Sequence, residues 1–370
     1  MARQGASKFL HKAKKSKSDE FYTQYVDIQK EIEAYLEYNP DTFRGKVVYC
    51  NCDDPYESNF FRYFVLNFDR IGLKQLITTS YKPSPVANTQ LELFGEDKTN
   101  KQTKGRPKAT ANKFIINSVG DIDGDGEYSL KDVALQLKQN KKNEWSPLAD
   151  DGDFRSDESV ALLKQSDIVI TNPPFSLFRE FIKQIDYYEK KFLIIGNINS
   201  ISYREVFALI KENKIWLGTG MGRWISGFIV PESYELYGTE ARIDEDGNRI
   251  VATNNCLWLT NLDHGKRHQP LPLMTMNDNI KFSSHKNVKG LGYKKYDNYD
   301  AIEVPFTDAI PSDYDGVMGV PITFLDKYNP EQFEIIGQMV TTKVDDLNHG
   351  YPYVDGKKIY ARILIRKRVN

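Results

Sequence analysis

The spacing of apolar and polar positions changes period repeatedly along the 370-residue chain. Tyr25, Ile28, Ile32, Tyr35 and Leu36 share one face at helical spacing. Short runs rich in branched side chains then predict strands over residues 46–52, 75–81, 113–119, 167–170, 191–196 and 214–218. Helical periodicity falls between them, at residues 59–67, 130–138, 159–164, 177–187 and 203–211. Strand, tight loop, helix, repeated, is the unit of a doubly wound α/β sheet. Residues 224–230 are strand-like, and 249–262 are expected to close the sheet as a hairpin with 227–231. Residues 82–112 break the pattern with Pro, Thr, Lys and Asn and predict an insertion extending to about 149. Beyond 262 helical stretches become scarce, and a last strand is predicted at 359–366. Three parts follow: a tail over 1–18, a main domain over 19–262 and a region over 263–370.

Composition changes this picture little. Apolar content of 40% and charged content of 27% are those of a globular protein with ample core, and a net charge of −1 provides no global attraction for a polyanion. Nucleic-acid binding therefore has to come from local patches. One is the tail, where Arg3, Lys8, His11, Lys12, Lys14, Lys15 and Lys17 precede the first acid, Asp19. Another mixes Lys281, Lys286, Lys289, Lys294 and Lys295 with Phe282, Tyr293, Tyr296 and Tyr299, and Arg362, Arg366, Lys367 and Arg368 near the end are available for phosphate. Cys50, Cys52 and Cys256 form no even framework and no zinc spacing, so reduced thiols in a cytoplasm are expected. No apolar run reaches membrane-spanning length, and the tail lacks a signal-peptide core.

The stretch with the most chemical content is Asp167-Ile168-Val169-Ile170-Thr171-Asn172-Pro173-Pro174-Phe175. A residue before proline is driven out of the helical region, so Thr171 and Asn172 should stay extended as the strand ends. Two prolines stiffen the loop and donate no N–H. An amide side chain, a fixed carbonyl and an aromatic ring then stand together at the carboxyl end of a strand, where open α/β sheets hold ligands. Asn-Pro-Pro-Phe is the signature of methyltransferases acting on exocyclic amino groups, and here it resembles the N6-adenine DNA class. By that resemblance the Asn172 side-chain oxygen and the Pro173 carbonyl bind the two amine hydrogens, Pro174 holds the turn, and Phe175 stacks on a base that has left the duplex. Each such stack contributes about 1–3 kcal/mol. An ordinary turn is the alternative reading.

Other pieces lie around it in order. Phe21, Tyr22 and Thr23 before the first helix resemble an N-terminal S-adenosylmethionine motif, and would line its methionine end. Asn51, Asp53, Asp54, Pro55 and Ser58 occupy the first strand–helix loop, with Ser58 and Phe60 where related enzymes carry glycines. The second strand does not end in the acid expected to hold ribose, and Ser80 or Tyr81 stands there instead. Asp153 and Phe154 look like the motif for the cofactor's adenine, although Asp153 or Ser156 also suits a helix cap. Gly218, Gly220 and Gly222 fail as a nucleotide fingerprint because a strand follows; a mobile loop is expected, with Arg223 a candidate for phosphate. Asp121, Asp123, Asp125, Glu127 and Asp132 follow the spacing of an EF-hand calcium loop, with Asp in place of Glu at the last position; a metal-free acidic turn is the alternative. Residues 90–94 (Gln90, Leu91, Glu92, Leu93, Phe94) resemble the peptide that docks bacterial proteins on the sliding clamp, or else pack on their own domain.

With Tyr-Glu-Leu-Tyr-Gly-Thr-Glu-Ala-Arg at 234–242 and Gly-Val-Met-Gly-Val-Pro-Ile-Thr-Phe-Leu at 316–325, the assembly resembles the EcoRI-type adenine-specific modification methylases over nearly the whole chain. That resemblance implies a Rossmann-like S-adenosylmethionine-dependent methyltransferase sheet with a C-terminal target-recognition region. It implies N6 methylation of adenine in double-stranded DNA, in restriction-modification or as an epigenetic mark. RNA or a protein glutamine amide as acceptor is the second reading, and a DNA- or clamp-binding protein without catalysis the third.

Overall fold

In the computed structural model, Val47–Cys50 forms β2, all four residues buried. The structure describes residues 22–52, 58–81, 111–126, 128–139, 142–222, 225–230, 236, 241–245, 247–251 and 255–368. They fall into two compact units, one built from the described residues up to Ile198 with Gly220–Leu262, the other from Asn199–Thr219 with Asp263–Asn370. Asn199–Thr219, assigned from the sequence to the main domain, thus groups with the C-terminal part.

The first unit is a mixed α/β sheet. Its strands are β3 (Gln75–Thr79), β4 (Asn112–Ile116), β5 (Glu144–Pro147), β6 (Ile168–Thr171), β7 (Lys191–Asn197) and β12 (Cys256–Thr260), with β2 among them, in the order β5-β4-β3-β2-β6-β7-β12. β2 runs parallel to β3 on one side and to β6 on the other, and β6 runs parallel to β7. Successive strands therefore step away from β2 in opposite directions. The gap between the carboxyl ends of β2 and β6 is the switch point at which such sheets take ligands.

β4 pairs antiparallel with β3 and with β5. The predicted insertion thus contributes two strands to the sheet, with α3 (Leu130–Gln139) between them. Residues 249–262, expected as one strand, are two. Arg249–Val251 (β11) joins Phe228–Val230 (β9) antiparallel in a small second sheet, whereas β12 lies against β7. All five β12 residues are buried, which suits a strand covered on both faces. The predicted 214–218 strand is Trp216–Met221 (β8), within which the chain passes from one unit to the other, and it takes up residues expected in a loop.

The helices follow from their apolar faces. α1 (Tyr25–Tyr38) buries Ile28, Ile32 and Tyr35. α2 (Asn59–Leu66) buries Phe60, Phe61, Tyr63, Phe64 and Val65, and its amino end is capped by Ser58 Oγ, which accepts from the Phe60 and Phe61 amides. α4 (Asp157–Gln165) leads into β6. α5 (Phe178–Tyr187) leaves β6 and buries Phe178, Phe181, Ile182 and Ile185 at i, i+3, i+4 and i+7.

The second unit contains α6 (Arg204–Lys211), α7 (Met276–Phe282) and a sheet of β13 (Ile302–Glu303), β14 (Met318–Pro321), β18 (Arg362–Lys367) and β15 (Phe333–Met339) in that order. Arg362, expected to be free for phosphate, is buried: its Nη2 lies 2.5 Å from Glu303 Oε1, and the Tyr296 hydroxyl donates to the same carboxylate. Arg366 faces Glu334 at 4.0 Å, Lys367 donates to the Ser312 carbonyl and Arg368 to that of Pro330. A buried carboxylate left alone is costly, so Arg362→Met should remove about 3–5 kcal/mol from urea unfolding. Adding Glu303→Gln should restore part of that loss; no recovery in the double variant would show that packing, not charge, is what Arg362 supplies.

Candidate active site

β6 places Thr171 fully inside, and its hydroxyl donates to the Asn51 carbonyl at the end of β2. This one bond ties together the carboxyl ends of the two central parallel strands. Asn172, Pro173 and Pro174 follow; Pro173 is buried, and the Pro174 carbonyl accepts from the Leu177 amide at 3.0 Å. Phe175 opens the short helical turn Phe175–Leu177 that leads into α5. Its ring meets that of Phe228 edge-on, 6.5 Å between centroids at 78°.

Phe228 brings in the amino-terminal motif. In β1 (Tyr22–Thr23), Tyr22 pairs with Ile229 and Thr23 with Phe228. Asn59 Nδ2, at the start of α2, donates to the Thr23 carbonyl at 2.8 Å. Thr23 and Asn51 are 3% and 2% exposed, and Thr23 Oγ1 and Asn51 Oδ1 have no hydrogen-bond partner among the described residues. Buried polar atoms are normally bonded, so both atoms are suited to a polar ligand. Past Asn51 the chain turns sharply at Cys52, which has φ 59°.

A third segment closes on the same edge. Gly152 has φ +82°, and a Cβ there would lie 2.0 Å from the Ser80 carbonyl at the end of β3. Only glycine permits this approach. Asp153 next to it is held by Arg155, whose Nη2 lies 2.6 Å from Oδ2 and whose Nη1 reaches Glu180 on α5 at 2.7 Å. Arg155 keeps the Asp153 carboxyl below the usual range despite partial burial. Burial, with Asp151 and Asp153 nearby, pushes the Tyr81 hydroxyl up. The Phe154 ring, expected to stack on a nucleobase, is 2% exposed and packs edge-on against Phe181 at 5.1 Å.

The wall formed by residues 220–222 and 225–228 is pinned to α1 by two buried acids. Glu31 Oε2 accepts from the Gly220 amide at 2.8 Å; Asp27 Oδ2 accepts from the Ser226 amide at 2.9 Å and its hydroxyl at 2.8 Å. Gln24 Nε2 adds a bond to the Gly227 carbonyl at 3.1 Å. Burial raises the Asp27 carboxyl, opposed by the two Ser226 bonds. Gly218 and Gly220, expected in a mobile loop, are strand residues, and Gly220 is fixed by such a contact.

Asp121, Asp123 and Asp132 bring carboxylate oxygens within 4.8 Å of one another, while Asp125 stands outside that group. Their oxygens serve the loop itself: Asp121 accepts from the Gly124 and Gly126 amides, Asp132 from the Ile122, Asp123 and Ser129 amides and the Ser129 hydroxyl, and Asp123 pairs with Lys131 at 2.5 Å. Lys294 and Lys295 are likewise paired, with Asp355 at 2.5 Å and Asp300 at 3.4 Å. Lys8, Lys12, Lys14, Lys15, Lys17, Phe21, Asp53, Asp54, Pro55, residues 90–94, Glu127 and Arg223 lie outside the described residues.

An amide-and-proline turn at a sheet switch point is what a methyltransferase of amino groups is expected to carry, and comparison with known proteins gives that class. Residues 9–368 match the family described as "Adenine-specific methyltransferase EcoRI", and the chain belongs to it. Among its relatives is Type II methyltransferase M.EcoRI of Escherichia coli, 52% identical over 368 residues that cover 100% of this chain and 99% of that one. Type II methyltransferase M.MpnI of Mycoplasma pneumoniae is 34% identical over 98% of this chain and 99% of its own. No solved structure matches.

Sequence reasoning missed Thr171, Phe228, Asn59 and Gly152 as parts of the site. Of these, Gly152 between Asp151 and Asp153 was the one with a visible signal.

Two outcomes are expected. Gly152→Ala has neither the space nor the backbone conformation it needs and should lower Tm and cofactor affinity together; a variant with wild-type calorimetric binding would show that this loop does not shape the site. Burial alone would raise the Asp132 carboxyl, but the amides and hydroxyl around it hold it down to about 2. A depressed carboxyl stabilises above its ordinary value and loses that contribution as pH falls toward the depressed one. Asp132→Ala should therefore melt lower than wild type at neutral pH, and the gap should narrow as pH falls from about 4 to about 2; a gap independent of pH would sink this account.

Proposed function

We propose that the enzyme moves a methyl group from S-adenosylmethionine to the N6 amine of an adenine drawn out of duplex DNA. The observation that carries this reading is the Asn172–Phe175 turn at the end of β6, bonded through Thr171 to Asn51. The first unit is read as a Rossmann-like methyltransferase domain and residues 263–370 as the target-recognition region. Thr23 Oγ1 and Asn51 Oδ1 are buried acceptors without partners among the described residues, which supports a cofactor bearing a cationic amine and hydroxyls. Tyr22, Ser58 and Asp153 complete the proposed cofactor surroundings. The Phe154 ring, buried against Phe181, holds the chain next to Asp153 rather than offering a stacking face.

S-adenosylmethionine supplies a methyl carbon made electrophilic by its sulfonium. The chain's own residues prepare the amine. The nitrogen lone pair is delocalised into the purine ring and is poorly nucleophilic. Accepting the two amine hydrogens on the Asn172 oxygen and the Pro173 carbonyl localises that pair and points it out of the ring plane. No base has to act before the attack, and the excess proton leaves the amine afterwards. Phe175, backed by Phe228, offers a ring face at about 1–3 kcal/mol per stacked base. The family's adenine specificity and the Type II methyltransferases among the relatives support DNA modification within restriction-modification.

The test uses plasmid from a host lacking adenine methylation, methyl-labelled cofactor, and digestion to nucleosides. Label should appear in N6-methyladenine; label in tRNA or protein instead would refute the reading. Asn172→Ala should lower kcat by about 10²–10³-fold, the range for loss of one preorganised hydrogen-bonding group, and leave cofactor affinity nearly intact. Equal loss of both would remove Asn172 from the chemistry.

A further inference from the structure

Residues 281–296 contain five lysines (Lys281, Lys286, Lys289, Lys294 and Lys295) and no acid. The structure makes a rigid knob of them. α7 ends at Phe282, and the chain curls back so that the Gly290 amide donates to the Ile280 carbonyl at 2.8 Å. The Val288 and Lys289 amides bond to the His285 carbonyl at 3.0 and 2.9 Å, and those of Leu291 and Gly292 to the Val288 carbonyl, each at 3.1 Å. The His285 ring lies flat on Phe306, 3.6 Å between centroids, and bonds to Asp308. Val288 is fully buried within. Gly290 and Gly292 both have φ +75°, a left-handed conformation that presents the intervening leucine at the tip.

Two large apolar side chains face outward from this knob: Leu291, 72% exposed, and Phe282, 69% exposed. Around them Lys281, Lys286 and Lys289 are exposed, and none has an acidic partner among the described residues. A turn spending this many backbone hydrogen bonds to hold a leucine in water is built for a partner. Unpaired lysines ringing an apolar tip match a polyanion with unstackable apolar faces inside it, and they repel a second copy of themselves. Apolar wedges of this kind enter base steps and kink the duplex.

We infer that the 281–292 knob docks on the duplex being modified, Lys281, Lys286 and Lys289 on phosphates, with Leu291 and Phe282 wedged at a base step. This rests on the DNA reading above. The test uses the full-length protein and an end-labelled duplex carrying the sequence methylated in the plasmid assay, with affinity, bend angle by energy transfer and salt dependence measured together. Leu291→Ser and Phe282→Ser should each weaken binding roughly tenfold, the loss of about one base stack, and reduce the bend without changing the salt slope. Lys286→Gln with Lys289→Gln should flatten that slope by about 2, about 1 per lysine, with the bend retained. Because all four side chains point outward, their melting temperatures should equal wild type, so a loss of binding is not a loss of fold. Wild-type affinity, bend and slope in every variant would overturn the wedge. So would a dimer that Leu291→Ser breaks, or binding to anionic vesicles that it abolishes, with DNA bending unaffected. If the wild type methylates no DNA at all, the functional reading fails first; if it does and the variants match it, only the knob fails.

Discussion

A single buried hydroxyl-to-carbonyl bond, from Thr171 to Asn51, joins the ends of two strands 120 residues apart in the chain. It can form only because β2 and β6 are adjacent and parallel, with Val48 opposite Ile168 and Tyr49 opposite Val169. The side chains that set this register are apolar on both faces, so a slip by one residue would not expose polar groups but would misplace the turn. The positions of Asn172 and Pro173 relative to the neighbouring loop are thus decided by packing well below the site. Chemistry that needs two acceptors fixed at one amine depends on that rigidity.

Charge in the interior serves the same end. Asp27 and Glu31, one turn apart on α1, receive backbone amides from a segment some 190–200 residues later. Removing carboxylates from water costs several kcal/mol unless hydrogen bonds replace it. Here the replacement comes from the Gly220 and Ser226 amides, so the wall beside Phe175 and Phe228 is held by bonds that hydrophobic packing alone would not orient. Asp132 does comparable work in the acidic loop, where its oxygens bind four donors of its own segment.

Local signals read well from the sequence. The strands at 47–50, 75–79, 168–171 and 191–197, the helices that follow them and the Asn-Pro-Pro-Phe turn all follow from side-chain branching, helical spacing and proline chemistry. What stayed hidden depends on partners far away in sequence. Nothing in Asn112–Ile116 announces that it runs antiparallel to β3, and nothing in residues 249–262 says that Arg249–Val251 and Cys256–Thr260 belong to different sheets. Arg362 looked like a surface cation because its partner, Glu303, is 59 residues earlier. Phe154 looked like a stacking ring because its Asp-Phe pair resembles a motif, and a motif does not reveal that the ring is buried against Phe181. Acidic spacing suggested metal ligands, but spacing does not reveal that amides and Lys131 already occupy those oxygens.

The pairing of Tyr22 with Ile229 has a consequence during synthesis. Thr23 leaves the ribosome well before its partner, because the strand that holds it is translated some two hundred residues later. Until then the amino-terminal wall has nothing to lie against. A chain that stops short of that strand lacks both the partner of Thr23 and the ring that meets Phe175. Only a polypeptide extended past Ile229 can form this pairing.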